Sequence, residues 1–306
     1  MRRVLLLLST AAFVAACGPA AVPARVQVPG LDRLSGEVAA IDVDLPGIDA
    51  ASVRGPSGWV LVGATLESGR VVGGSSPECA LRRTVAGSLA AQTARCASFL
   101  GAYASLERAR QFLLAAGAEA LPAAPLVVDA SDAVPGLRYL AEADAYTLAQ
   151  GPSGARVPAA LNPGAVVRAA ARRQLHALAD ARPDDAEAVA TFLGAAAASD
   201  PGYLASSEVG GDPTGQLDLS RPLPAGSAQS AVLAGALWAW ADALGDPAFA
   251  AKAALSAARA VAQRSEGGGP LALLSLVAGQ LDGAERDQAC AVFRARLSAG
   301  EIEACP

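Results

Sequence analysis

Histidine is nearly absent: His176 is the only one in 306 residues. A zinc site built from two histidines one helical turn apart is therefore excluded in every register. Lysine is equally scarce, with Lys252 standing alone, and the formal charge is −5. No basic tract and no interleaving of cations with aromatics occurs, which argues against a nucleic-acid partner, because phosphate contacts need clustered cations. Gly-x-Ser-x-Gly, Ser-x-x-Lys, P-loop and Gly-x-Gly-x-x-Gly patterns are all missing, so the common hydrolase and nucleotide sites lack their usual handle. No cofactor is implied.

What is present begins at the N-terminus. Residues 1–16, MRRVLLLLSTAAFVAA, read as a lipoprotein signal peptide, with Arg2 and Arg3 before a short apolar core. Val14-Ala15-Ala16-Cys17 resembles a bacterial lipobox, in which small residues admit the peptidase and the cysteine thiol takes the lipid. The core is too short to cross a bilayer of about 30 Å as a helix. Acyl chains such as palmitate on Cys17, each buried CH2 adding about 0.8 kcal/mol, anchor a chain durably. Gly18 in place of Asp points to the outer membrane, and the expected address is the bacterial cell envelope. Without Arg2 and Arg3, 22 basic residues face 29 acidic ones. Residues 17–36, rich in Pro, Ala and Val, are expected to form a tether.

Four further cysteines remain: Cys79, Cys96, Cys290 and Cys305. An even number in an exported chain points to two disulfides. Of the three possible pairings, Cys79 with Cys96 and Cys290 with Cys305 is favoured, because each closes a short loop. No tight C-x-x-C spacing supports a metal site.

Residues 37–74 have β texture, with GWVLVGATL and VVGG as a hairpin. A long helix is expected over 80–120, its arginines on a solvated face, followed by a short strand at Leu126-Val127-Val128. Residues 137–151 are ambiguous between helix and strand. Asn162-Pro163-Gly164 opens a helix over 165–181; Pro183, with Asp184, Asp185 and Glu187 as first-turn acids, opens another over 184–199. A Gly/Pro/Ser-rich connection follows Pro201, and the last third reads as four helices. Trp238 is expected in the core rather than as a ligand platform. His176 reads as a structural or exposed side chain rather than a catalytic one.

The run ALNPGAVV, two marked positions four apart, and a second helix carrying Glu187 and ending FLGAAAASDPGYL resemble the core of thermolysin- and fungalysin-type zinc metallopeptidases, the gluzincins. GALWAWADALGDPAFAAKAALSAAR is similar to their helical lobe. The resemblance implies a two-lobed, zincin-like α+β fold, with an N-terminal α/β lobe over 37–182 containing a mixed sheet and a mainly helical lobe over 183–306. It places Arg168 and Arg172 where the two histidines stand, Ala169 where the general base stands, and Glu187 at the third ligand. The interval before Glu187 is shorter than the family pattern.

Arginine is always protonated and offers zinc no lone pair, and Ala169 accepts no proton. The expectation is a protein without metal or catalysis that binds a peptide or protein partner, with Ala145 to Gln150 as the strand edge where a peptide backbone pairs. Arg168, Arg172 and Arg173 either hold an anion in the former metal cleft or pair with Asp180, Asp184 or Glu187. Glu187 either faces that cleft or serves only as an acid at the start of its helix. The rival reading is a tetratricopeptide-like scaffold built from helix pairs, with no peptidase ancestry.

Overall fold

Val26 and Val28 point inward two residues apart and make the first described segment a strand, β1 (Ala24–Leu31). The computed structural model describes residues 24–31, 37–129, 136–149, 158–178, 182–203, 217–223, 226–263, 271–297 and 302–305. The signal peptide and Cys17 lie outside the described residues. β1 pairs along its whole length with β2 (Val38–Leu45) and in parallel with β7 (Leu89–Ala91). The tether expected over 17–36 is therefore corrected for 24–31. Pro29 and Gly30 disguise the segment, although its period-2 burial is that of a half-buried strand.

The fold is α+β, with two mixed sheets. In the first, the order is β2-β1-β7-β6, with β6 at Leu81–Arg83. The second contains β3 (Arg54–Gly55), β4 (Gly58–Glu67), β8 (Ala124–Val128), β10 (Ala145–Ala149) and β9 (Gly136–Leu140) in that order, with β5 (Arg70–Ser75) also on β4. Strands β4, β8 and β10 run parallel, and β9 returns antiparallel to β10. The strand expected as an open peptide-pairing edge is thus enclosed on both sides. The turn at Ala141–Asp144 folds β9 outside it, and Asp144 takes the left-handed conformation with φ 42°.

The helix expected over 80–120 is α1 (Ala94–Ala115) alone. Its start is set by Thr93, whose side chain accepts from the Cys96 amide at 3.3 Å. Residues 81–91 form the β6–β7 hairpin instead, so the helical spacing of Leu89 and Ala90 misleads. The Cys79–Cys96 disulfide fastens this hairpin to the first turn of α1, and Cys290–Cys305 closes the C-terminal end.

After a 3-10 turn at Ala159–Leu161 come α2 (Pro163–His176) and α3 (Pro183–Ala198), then α4 (Gln229–Leu244), α5 (Pro247–Ala262), α6 (Ala272–Gly279) and α7 (Gly283–Arg296). From α3 onward, every regular element among the described residues is a helix. One hydrophobic core runs from Val26 through α1, α2 and α3 to Phe293, unbroken across the 182/183 connection. Gly164 and Gly194 let the α2 and α3 backbones meet: a Cβ on Gly194 would lie 2.7 Å from the Gly164 carbonyl oxygen and 2.5 Å from the Tyr203 hydroxyl. Trp240, edge-on to Phe249 and Phe293, is the fully buried tryptophan of α4, whereas Trp238 is only half-buried against the core. No helix among the described residues is long and apolar enough to cross a membrane.

Candidate functional site

The orientation of α2 is set at its first residue. The Asn162 side chain accepts from the Gly164 and Ala165 amides at 3.0 and 3.2 Å and donates to the Tyr203 carbonyl at 3.0 Å. Pro163 and Pro183 occupy the first turns of α2 and α3, where a missing N–H costs nothing. With both starts fixed, residues 168 and 172, one turn apart on α2, face α3.

Arg168 donates to Glu187 Oε1 from Nε at 3.0 Å and from Nη2 at 2.5 Å, and Arg172 Nε donates to Oε2 at 2.6 Å. Thr191, one turn further along α3, donates its hydroxyl to Oε1 at 3.1 Å. Burial raises the Glu187 pKa, but the Arg168 and Arg172 guanidinium groups outweigh it and hold the carboxyl below the usual glutamate range. Glu187 is therefore neither an open ligand nor a bare first-turn acid. Asp184 and Asp185 fill the first turn, and Glu187 sits in the second.

Ala169 is 2 % exposed and belongs to the core. The position that the gluzincin pattern assigns to the general base therefore faces packed apolar side chains. Among the described residues, no three His, Cys, Asp or Glu side chains come together as a metal site would require. The arrangement can neutralise charge and clamp two helices.

Arg173 takes a different partner from those expected. Its guanidinium makes a two-bond fork to Asp144 at 2.6 and 2.8 Å and also donates to the Pro122 carbonyl at 2.8 Å. Tyr139 donates to the same carboxylate at 3.1 Å. α2 is thereby bolted to the β9–β10 turn. Arg173 keeps Asp144 below the usual carboxylate range although burial opposes it. His176 is exposed at the end of α2, with its ring 6.0 Å from that of Tyr139.

A second polar cluster has no counterpart in the sequence reading. Glu107, 1 % exposed on α1, accepts from the Ser57 hydroxyl, from Arg110 at 3.1 and 2.8 Å and from Gln111 at 3.0 Å. Burial pushes its pKa up, and the Arg110 and Ser57 hydrogen bonds more than reverse this. Close by, burial lifts the Tyr103 hydroxyl to about 12. The available signal was Glu107 three residues before Arg110 and four before Gln111, on a helix that otherwise buries apolar side chains.

Two larger hollows flank α1. One, of about 720 Å³, lies between β1, α1 and the facing ends of α2 and α3. The other, of about 390 Å³, lies at the carboxyl ends of β8 and β10. Arg168, Arg172 and Glu187 line neither. No protein-family profile, characterised protein or solved structure matches this chain.

Proposed function

We propose that this chain is a lipid-anchored protein of the bacterial cell envelope, carried through Cys17 on the outer membrane, whose zincin-like body has lost its metal and its catalysis and binds a peptide or protein partner. The observation that carries the reading is the engagement of both Glu187 oxygens by Arg168 and Arg172. A carboxylate held by two permanent cations is unavailable to zinc. The β9–β10 hairpin beside α2 suits a peptidase-like scaffold better than a superhelix of helix pairs, which would lack sheets. With β10 enclosed, strand addition falls to β9, which ends its sheet among the described residues.

Metal analysis and casein digestion of the purified mature protein test the loss of catalysis. The expected result is less than stoichiometric zinc and no cleavage; stoichiometric zinc together with cleavage overturns it. Palmitate labelling in cells tests the anchor, which should disappear in Cys17→Ser.

A further inference from the structure

The 390 Å³ crevice lies outside the carboxyl ends of adjacent parallel strands, the place where open α/β sheets leave room for ligands. Its walls are apolar: Phe99 from α1, Val128 from β8, Leu148 from β10 and Leu161 from the 3-10 turn. Two opposite charges, Arg95 and Asp129, are also among its lining residues, both exposed. Arg95 holds its guanidinium 5.5 Å from the centre of the Phe99 ring, so the cation lies over an aromatic wall. Asp129 continues β8 past its last residue; its amide donates to the Leu148 carbonyl at 2.9 Å. It takes the left-handed conformation, φ 56°, unusual outside glycine and tolerated best by Asp and Asn.

Arg95 and Asp129 form no ion pair among the described residues, with each other or with any third group. Three arginine clusters elsewhere on this chain are closed by carboxylates, at Glu187, Asp144 and Glu107. Opposite charges left open on the lining of a largely apolar hollow fit a ligand that brings both complements and a hydrophobic body.

We propose that this crevice binds a small zwitterion with an apolar side chain, a free hydrophobic amino acid or a dipeptide of such residues. Arg95 takes the carboxylate, Asp129 takes the ammonium, and Phe99, Val128, Leu148 and Leu161 enclose the side chain. A hollow of this size falls within the usual range for small-ligand sites. The site lies away from the Arg168–Glu187–Arg172 cluster and does not depend on the metallopeptidase resemblance or on a macromolecular partner.

The test is calorimetric titration of the purified mature protein with leucyl-leucine and with leucine. N-acetyl-leucine, which lacks the cation, and leucinamide, which lacks the anion, serve as probes of each charge. The expected result is saturable binding of at least one zwitterion and at least about tenfold weaker binding of both blocked compounds, about 1.4 kcal/mol each. Arg95→Gln should weaken the zwitterion about tenfold and leave leucinamide unchanged. Asp129→Asn, which keeps the left-handed backbone accessible, should weaken the zwitterion and leave N-acetyl-leucine unchanged. Both side chains are exposed, so melting curves of the variants should match the parent. Absence of saturable binding up to about 10 mM of either zwitterion overturns the proposal. So does equal affinity for a zwitterion and either blocked compound, or binding indifferent to both substitutions.

Discussion

Removing the Glu187 carboxylate takes one shared partner from two cations. In Glu187→Ala, Arg168, whose side chain is 7 % exposed, loses both bonds to that carboxylate, and Arg172, 31 % exposed, loses its own. The like charges are then left facing one another across one helical turn. Breaking a buried pair by deleting one partner costs about 3–5 kcal/mol, whereas deleting a surface pair costs about 0–1 kcal/mol. Glu187 retains 26 % exposure and Arg172 can swing outward, so the low end applies, about 3 kcal/mol. In a chain of this size, with an unfolding entropy of about 2.1 cal/mol/K per residue, that lowers Tm by roughly 5 °C.

Chemical denaturation with the disulfides intact measures the loss. Arg168→Met, Arg172→Met and Glu187→Leu combined should recover most of it, since an apolar contact needs no desolvated charge. Acid sharpens the test. Glu187 has a folded pKa below the ordinary glutamate value, so its contribution is present above that ordinary value and is lost as pH falls through the lower folded pKa. Glu187→Gln should lack that part of the acid slope. A Glu187→Ala loss under about 1 kcal/mol, or an unchanged acid slope in Glu187→Gln, would refute the clamp.

Glu107→Gln should destabilise by about 2 kcal/mol and likewise flatten the acid limb, because Glu107 is also held below its usual pKa; urea melts at pH 7 and pH 4 check both effects. Gly194→Ala should cost about 1–3 kcal/mol by forcing α2 and α3 apart at the Gly164 carbonyl, whereas Gly245→Ala, with open space around its Cβ, should show only the penalty of its left-handed φ; thermal melts compare the two.

The helices at the chain's second half could be read from the sequence because their signals are local. Pro163, Pro183 and Pro247 stand in first turns, and Gly245 closes α4 in the left-handed conformation. The disulfides were legible for the same reason, since each partner lies within 17 residues of the other. Strand pairing is different: β1 meets β7 across some sixty residues, and nothing within Ala24–Leu31 names that partner. The enclosure of β10 depends on a turn that one reading of 137–151 would have made helical. In the site, Arg168, Arg172 and Glu187 were marked by the gluzincin resemblance, and their meeting lies between two helices adjacent in sequence. Arg173 with Asp144 and Ser57 with Glu107 were not visible, because each joins elements far apart in sequence.

Strand β1 changes how the body can stand on a lipid surface. Ala24 is already paired in the sheet, and only six residues lie between it and Cys17. Fully extended, that leash reaches no more than about 25 Å. Under the proposed acylation the β1–β2 ribbon stays within that distance of the headgroups.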